Sequence, residues 1–331
     1  MIFEKIHSVP TSDELLDKAF RRASRARRGK KIRDIKSNRE AYESMILTSA
    51  NILSDNLANI VRRFPDFDEL SDFYYDLADI IAGVDKLKIS LGSIYWASEK
   101  IHDLGRERIG KIRSSNDPQT IQKEVYGRMS SIMNSIDKDL KFLNEARNTL
   151  RKLPDVDVNE PTIVVAGYPN TGKSSFVTIA TKAHPEIATY PFTTKGISIG
   201  HFTRDNIRYQ VIDTPGLLDR PMSDRNDIEL QAVTALKHLG SVLLYLVDAS
   251  ETCGYTVDDQ KHLFEEIRQQ FKIPVLVVSN KSDLPEFQEL GFVDMEMSTV
   301  THEGVDEVVD KLVDIIGAKQ DFFRNVSEPL K

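Results

Sequence analysis

The chain has 331 residues, of which 40% are hydrophobic and 29% are charged, and its formal net charge is −7. Because chains of this length exceed the size that a single hydrophobic core usually reaches, we expect two domains. No stretch approaches the roughly 18 apolar residues that a membrane helix needs, which excludes a membrane-spanning protein. The negative charge argues against indiscriminate binding to nucleic acid, although residues 1–160 hold 28 Lys and Arg against 26 Asp and Glu.

The two ends of the sequence carry no recognisable targeting signal. Glu4, Lys5 and His7 interrupt the apolar segment that a signal peptide needs, so we expect no secretion. Ile2 excludes N-myristoylation, and the last residues contain no cysteine to prenylate. The chain has one cysteine, so no internal disulfide can form. We therefore expect a cytoplasmic protein with no membrane partner.

Residues 11–152 place apolar side chains at helical spacing and predict an all-helical half. Thr11 and Glu14 have the spacing of a capping box, which predicts a basic helix of about four turns. Pro65 and Gly83 then separate further helices. We predict these at about 30–64, 68–81 and 84–113.

Asp117 and Pro118 begin the clearest helix of this half, as N-cap and first helical residue. Its apolar residues continue at spacings of three, four and one seven as far as Leu150, so we predict one unbroken helix. The ordinary role of aromatic residues in such a half is to fill the core between packed helices. We assign that role to Tyr74, Tyr75 and Trp96.

The segment LPDVDVNEP breaks the helical pattern, and short β-branched runs alternate with helical segments after it. We predict a helical domain over 1–153, a linker over 154–161, an α/β domain over 162–318 and a tail over 319–331. The strands of a mostly parallel sheet are expected at 162–166, 208–212, 242–247, 274–279 and 292–297, with an edge strand at 197–202.

A phosphate-binding loop follows the first of these strands. Gly167, Gly172, Lys173 and Ser174 have the spacing G-x-x-x-x-G-K-S between a buried strand and a helix, which predicts a P-loop. Its amides converge on phosphates, Lys173 neutralises the β and γ phosphates, and Ser174 ligates Mg²⁺. The loop residues assigned to nucleotide binding are Gly167, Pro169, Asn170, Thr171, Gly172, Lys173, Ser174 and Ser175.

The sequence NKSD, residues 280–283, ends another apolar strand and predicts a guanine reader. The Asp283 carboxylate can accept the ring N–H and the exocyclic amine of guanine, whereas adenine would leave it facing an acceptor. Such a paired site can discriminate by roughly 10⁴. With it we assign Asn280 and Lys281 to the nucleotide site, and we expect the backbone amides of Ser298 and Thr299 to support the guanine carbonyl.

Asp213 and Gly216 form a D-x-x-G element between these two motifs. We expect Asp213 to hold Mg²⁺ through a water, and the Gly216 amide to contact the γ-phosphate. One threonine of YPFTT, residues 190–194, must complete the metal shell; we choose Thr194 over Thr193. The metal set is then Ser174, Thr194 and Asp213, and the catalytic set is Lys173, Thr194 and Gly216.

The fold class is an α/β P-loop GTPase domain with a six-stranded sheet covered on both faces, preceded by an all-α helical bundle.

The motif blocks resemble the Obg-like GTPases, and within them the Nog-type nucleolar G proteins. The segments that carry this resemblance are GYPNTGKSSF, YPFTTKGISIGHF, QVIDTPGLLDRP, IELQAVTALKHL and SETCGYTVDDQ, with RRFPDFDELSDFYYDL and KLKISLGSIYWA in the helical half. It extends from about Arg21 to Ala318. The chain departs from the family at Thr171 and Thr299, and it has the short form expected of archaeal members.

This resemblance implies GTP and GDP as ligands and a role in assembling the large ribosomal subunit, with ribosomal RNA and proteins as partners. Residues 21–39 hold ten Lys or Arg and one acid, which is either a solvated helical face or an RNA contact. The candidate RNA contacts are Arg21, Arg22, Arg25, Arg27 and Arg28. The alternatives are a protein-binding GTPase switch without RNA and, disfavoured by NKSD, a nucleotide kinase or ATPase.

Many GTPases place a water-orienting glutamine where this chain has Leu217. Leucine cannot orient water, so we predict slow intrinsic hydrolysis that a partner or a monovalent cation completes. Asn170 favours K⁺, since similar potassium-activated GTPases have asparagine there; the alternative is that Asn170 only braces the loop.

Overall fold

The computed structural model describes residues 2–28, 32–182, 185–188, 190 and 196–327, with side chains for all of these except 188, 228 and 319–327. The chain divides into two compact units. One comprises Met1–Glu69 and Ile81–Arg151, and the other comprises Leu70–Ile80 and Lys152–Lys331. The change of unit after Arg151 lies close to the predicted boundary, but Leu70–Ile80, which the sequence assigned to the helical domain, clusters with the second unit.

Most of the described N-terminal half is helical from Ser12 onward. Its helices are α1 (Ser12–Arg28), α2 (Ile35–Arg63), α3 (Asp72–Ala82), α4 (Val84–Glu107), α5 (Ile109–Ser114), α6 (Pro118–Ser135) and α7 (Asp137–Leu150). The predicted capping box is confirmed, because Thr11 N donates to Glu14 Oε2 at 2.8 Å and Glu14 N donates to Thr11 Oγ1 at 3.4 Å. Among the described residues no helix is both long and apolar enough to cross a bilayer.

Two predicted helices are broken, so those predictions were wrong. The helix expected over 118–150 is interrupted at Ile136, whose φ of −101° and ψ of 4° leave the helical region. The break allows the first residue of α7, Asp137, to accept hydrogen bonds from Ser12 N at 3.1 Å and Ser12 Oγ at 2.7 Å. A second break at Arg108 separates α4 from α5. In addition, α2 begins at Ile35 because Asp34 caps it by accepting from Ser37 N at 2.7 Å.

The second unit is built on a sheet whose order in the described residues is β2-β3-β4-β1-β5-β6-β7. The elements are β1 (Thr162–Ala166), α8 (Lys173–Thr181), β2 (Glu186–Ala188), β3 (Ile197–Arg204), β4 (Ile207–Asp213), α9 (Asp227–Leu236), β5 (Val242–Asp248), α10 (Val257–Phe271), β6 (Val275–Asn280), β7 (Met295–Glu296) and α11 (Val305–Ser327). The strands β4, β1, β5, β6 and β7 are parallel, whereas β2 and β3 add antiparallel pairs.

The sheet differs from the prediction in three respects. It has seven strands among the described residues rather than six, because Glu186–Ala188 pairs with β3. Consequently β3 is not at the edge. The last strand, β7, is only two residues long, much shorter than the predicted 292–297. β1 and β5 are buried along their whole length, as expected for strands covered on both faces.

Tyr74 fixes the segment after Leu153 from within the second unit. The Tyr74 hydroxyl is buried, accepts from Val156 N at 2.9 Å and lies 3.0 Å from Pro154 O. Burial raises the pKa of Tyr74 to about 12.

The core assignment of Trp96 was wrong, because the Trp96 side chain on α4 is 53% exposed. Tyr95 and Ile89 of the same helix are also exposed, at 54% and 69%.

Candidate nucleotide site

The predicted motifs meet at one edge of the sheet. The P-loop follows β1, Asp213 ends β4 and Asn280 ends β6, and β1, β4 and β6 run parallel. The carboxyl ends of parallel strands face one edge, and nucleotides bind there where the direction of chain progression reverses. In this sheet the reversal lies at β1, which has β4 on one side and β5 on the other.

The P-loop backbone depends on two glycines at positive φ. Gly167 has φ of 138°, and a Cβ there would lie 2.4 Å from Leu246 O; Gly172 has φ of 99°, and a Cβ there would lie 2.0 Å from Asn280 Nδ2. No larger residue fits at either position without displacing a neighbour. The Lys173 side chain is buried, and its Nζ donates to Gly167 O at 2.8 Å and Tyr168 O at 2.7 Å. The Lys173 ammonium is thus held beside the loop that is predicted to bind the phosphates.

Asp213 and Ser174, two residues of the predicted metal set, are hydrogen-bonded to each other. Ser174 Oγ donates to Asp213 Oδ2 at 2.5 Å, and Asp213 is fully buried. Its other oxygen, Oδ1, has no hydrogen-bond partner in the described part of the chain. Burial raises the pKa of Asp213, although the Ser174 hydrogen bond and the Lys173 charge act in the opposite direction. A buried oxygen without a partner beside a serine hydroxyl fits a hard divalent cation such as Mg²⁺.

The third predicted metal ligand, Thr194, lies outside the described residues, as does Thr193. The first residue of that segment is described: Tyr190 is buried and its hydroxyl donates to Ala232 O of α9 at 2.9 Å. Within the described ranges, no group of three or more His, Cys, Asp or Glu could hold a different metal ion.

Asn280 connects the NKSD loop to the P-loop. Its Nδ2 donates to Thr171 O at 2.8 Å and to Thr299 Oγ1 at 3.1 Å, and its Oδ1 accepts from Thr299 N at 2.9 Å. The Asn280 side chain is fully buried. Thr171 and Thr299 therefore both contact Asn280. The predicted base reader and the predicted phosphate loop are held together by one buried amide.

Ser298 and Thr299 lie beside Asn280, but the structure does not show the role predicted for their amides. Ser298 N donates to Glu303 O at 2.9 Å, and Thr299 N is bound to Asn280. Both donors are therefore engaged inside the protein. The Ser298 hydroxyl instead donates to Asp283 Oδ1 at 2.5 Å, which orients the exposed carboxylate expected to read guanine.

Sequence reasoning missed Asp248, at the end of β5. This carboxylate is fully buried and accepts from Lys281 Nζ at 2.6 Å, Cys253 N at 2.7 Å and Ser250 N at 3.0 Å. Burial alone would raise the pKa of Asp248, but the hydrogen bonds from Lys281 and Ser250 outweigh it and leave the pKa below its ordinary value. Asp248 therefore holds the lysine of NKSD in place. The sequence feature that could have identified Asp248 is its position as the one acid at the end of an otherwise apolar strand.

Two more residues that the sequence did not single out hold Gly216. Gly216 N donates to Asp219 Oδ2 at 2.7 Å, and Gly216 O accepts from Arg225 Nη1 at 3.2 Å. Arg225 is 8% exposed, and burial lowers its pKa from the ordinary arginine value. The neighbouring Leu217 is fully buried, so its side chain packs in the interior.

Three of the five candidate RNA contacts on α1 line one cleft. Arg21, Arg25 and Arg28 line a cleft of about 390 Å³ together with Phe20 and Ser24. Phe20 stacks on Tyr126 with ring centroids 4.0 Å apart. In contrast, the Arg27 guanidinium lies 4.3 Å from the centroid of the Tyr42 ring, and Arg22 does not line the cleft. The structure thus brings together three of the five arginines.

The sheet order, the phosphate loop after β1 and the NKSD loop after β6 define a P-loop GTPase domain, preceded by a helical domain. Comparison with protein families agrees. Residues 3–157 match the NOG1 N-terminal helical domain, and residues 227–283 match the model of nucleolar GTP-binding protein 1 (NOG1). The chain belongs to the NOG1 family.

Individual relatives are similar over most of this chain. The uncharacterized protein MJ1408 of Methanocaldococcus jannaschii is 41% identical over 288 residues, which is 85% of this chain and 81% of that protein. Nucleolar GTP-binding protein 1 of Caenorhabditis elegans is 35% identical over 96% of this chain, which spans only 50% of that relative. A crystal structure described as nucleolar GTP-binding protein 1 of Plasmodium falciparum is 31% identical in sequence, with a TM-score of 0.48. The match covers 53% of this chain and 95% of the Plasmodium falciparum chain.

Proposed function

We propose that this protein binds GTP and GDP, hydrolyses GTP to GDP and phosphate, and acts as an assembly factor for the large ribosomal subunit. The observation that carries nucleotide binding is the Asn280 bridge. Because Asn280 Nδ2 donates to Thr171 O at 2.8 Å, the NKSD loop is fixed beside the P-loop. One ligand with a guanine at one end and phosphates at the other would contact both loops.

Different residues would bind the guanine and the phosphates of this ligand. The Asp283 carboxylate, oriented by Ser298 Oγ, would accept the two N–H donors of guanine. Lys281, held by Asp248, would place its aliphatic stem beside the base. The P-loop amides and Lys173 Nζ would bind the phosphates at the start of α8, where the helix N-terminus adds positive potential.

Mg²⁺ is the proposed cofactor. Ser174 and Asp213 would hold it, with Thr194 as the proposed third ligand, and the unpartnered Asp213 Oδ1 supports this set. When bound, the cation neutralises charge on the β and γ phosphates. The Gly216 amide would then stabilise the charge that develops on the γ-phosphate during transfer to water.

We propose slow intrinsic hydrolysis, supported by the burial of Leu217. A potassium ion or a partner would complete the site. Asn170 is exposed, has φ of 63° and makes no side-chain hydrogen bond to another described residue, which favours a cation contact over a bracing role. The catalytic groups in this proposal are Lys173, Thr194 and Gly216.

The ribosomal role is supported by the names of the relatives, nucleolar GTP-binding protein 1, and by the cleft that Arg21, Arg25 and Arg28 line on α1. We propose ribosomal RNA and ribosomal proteins as partners. The second candidate is a protein-binding GTPase switch without RNA contact. The exposed side chains of Ile89, Tyr95 and Trp96 on α4 favour it, because aromatic residues are enriched at protein interfaces.

Calorimetry with GDP and ADP in magnesium buffer tests nucleotide binding. Uptake of GDP with no measurable uptake of ADP is expected, and equal uptake of both would contradict the guanine assignment. Co-sedimentation with large ribosomal subunits in a non-hydrolysable GTP analogue tests the assembly role. Association that disappears after nuclease treatment supports the RNA contact, whereas association that survives nuclease supports the protein-binding alternative.

A further inference from the structure

We propose that Asp219 sets the preference of this site between GDP and GTP by competing with the γ-phosphate for the Gly216 amide. The inference rests on the proposed function, because it assigns a further role within the same nucleotide site. It starts from the 2.7 Å hydrogen bond that Gly216 N donates to Asp219 Oδ2.

The Gly216 amide has a single hydrogen to donate. A γ-phosphate oxygen would need it at about 2.7–3.1 Å, which is the place that the Asp219 carboxylate occupies. Both acceptors are anionic, so they also repel each other if they approach the same donor. Bonds of this type to a charged acceptor are about twice as strong as neutral ones. A triphosphate must therefore displace Asp219, whereas a diphosphate leaves the contact intact.

The displacement is local to one side chain, because the Gly216 backbone is held independently. Arg225, which is buried, donates from Nη1 to Gly216 O at 3.2 Å and from Nη2 to Arg220 O at 2.8 Å. Releasing Asp219 leaves both of these bonds in place. Gly216 itself has φ of 83°, a conformation that glycine adopts without strain. The amide therefore stays in position while its acceptor changes.

The same segment also offers the displaced carboxylate new donors. The Nε atoms of Arg220 and Arg225 are both buried and have no hydrogen-bond partner among the residues that the structure describes. Arg220 is already paired through Nη2 with Glu229 at 2.9 Å, so its guanidinium is held in place with Nε unused. Two unused guanidinium donors, one on the residue after Asp219 and one six positions after it, favour an alternative position for its carboxylate when the γ-phosphate binds.

The test measures the dissociation constants of GDP and of guanosine 5′-(β,γ-imido)triphosphate by calorimetry in magnesium buffer. Asp219→Ala removes the competitor, so the ratio of triphosphate to diphosphate dissociation constants is expected to fall about tenfold, the factor that roughly 1.4 kcal/mol gives. Asp219→Asn keeps an acceptor of the same shape but without charge, and a fall of about threefold is expected. The dissociation constant of GDP is expected to stay within about twofold.

Asp224→Ala and Asp224→Asn are the matched controls, since Asp224 is an exposed acid of the same loop. Neither is expected to change the ratio. A residue that only stabilised the loop would weaken both nucleotides together and leave the ratio unchanged. An unchanged ratio in both Asp219 variants, or an equal fall in the Asp224 variants, overturns the inference alone. A wild-type protein that takes up neither nucleotide overturns the proposed function together with it.

Discussion

Asn280 and Thr171 lie 109 positions apart in sequence and are joined by a buried 2.8 Å hydrogen bond from Asn280 Nδ2 to Thr171 O. The same side chain binds Thr299 through both of its polar atoms. Two segments that would otherwise move independently are therefore tied at one point. Nucleotide affinity should depend on this amide even though it is not expected to touch the phosphates.

Replacing Asn280 with Ala should weaken GDP binding about 10- to 100-fold. The change removes hydrogen bonds worth about 1 kcal/mol each and leaves the Thr299 amide and the Thr171 carbonyl without their partner. Calorimetric titration with GDP measures the effect. Asn134→Ala, which removes an exposed amide on α6, is the control. GDP affinity within about twofold of the wild-type value would contradict the role of the bridge.

GTP turnover should be at least about tenfold faster in potassium chloride than in sodium chloride at equal ionic strength, a factor that corresponds to roughly 1.4 kcal/mol. Asn170→Gly should abolish the difference, because glycine keeps the positive φ of 63° and removes the proposed cation ligand. Phosphate release measures the rate, with Asn134→Ala again as control. Equal wild-type rates in the two salts would reject the cation and leave an activating partner as the explanation.

The triple variant Arg21→Ser, Arg25→Ser and Arg28→Ser should weaken binding to large-subunit ribosomal RNA and leave GDP affinity unchanged. If each arginine contacts one phosphate, the slope of log affinity against log salt should fall by about three. Filter binding over a salt series measures this slope. The control changes three exposed arginines elsewhere in the same unit, Arg62, Arg63 and Arg106, to Ser. The same loss in both triple variants would show a nonspecific charge effect.

Asp137→Asn should lower the free energy of unfolding at pH 7 by about 1–2 kcal/mol, because the carboxylate accepts from Ser12 N and Ser12 Oγ. The Lys141 and Ser12 hydrogen bonds lower the pKa of Asp137 to about 2. A carboxyl whose pKa is lower in the folded state stabilises the fold above its ordinary pKa of 3.8 and ceases to do so as pH falls toward 2.

The difference between wild type and Asp137→Asn should therefore be constant near neutral pH and shrink between about pH 4 and pH 2. Denaturant unfolding at several pH values measures it. Asp55→Asn, an exposed acid in the middle of α2, is the control and should show no such dependence. A difference that persists unchanged at pH 2 would show that the charge of Asp137 is not responsible.

The sequence predicted those parts of the site that depend on local spacing. The P-loop glycines, Asp213 and the NKSD loop are short motifs at strand ends, and parallel strands bring strand ends together. Asp248 and Asp219 were missed because their importance comes from partners, Lys281 and Gly216, that spacing alone does not identify. Thr194 stays a prediction, since it lies outside the described residues.

The helical half shows the corresponding limit for the fold. No Gly or Pro lies within residues 128–153, and the break at Ile136 coincides with the contact between Asp137 and Ser12, 125 positions away. Likewise, Trp96 belongs by type to the class expected in a core, yet it is 53% exposed. Periodicity identifies which segments are helical; distant contacts decide where they bend and which faces are covered.

The anchoring of Val156 by Tyr74 bears on how this protein can be divided. A fragment that starts at Lys152 would lack α3, and the Val156 amide would lose the hydroxyl that it meets at 2.9 Å. A separate second unit should therefore carry Leu70–Ile80 along with the sheet, either by circular permutation or by adding that helix as a separate peptide.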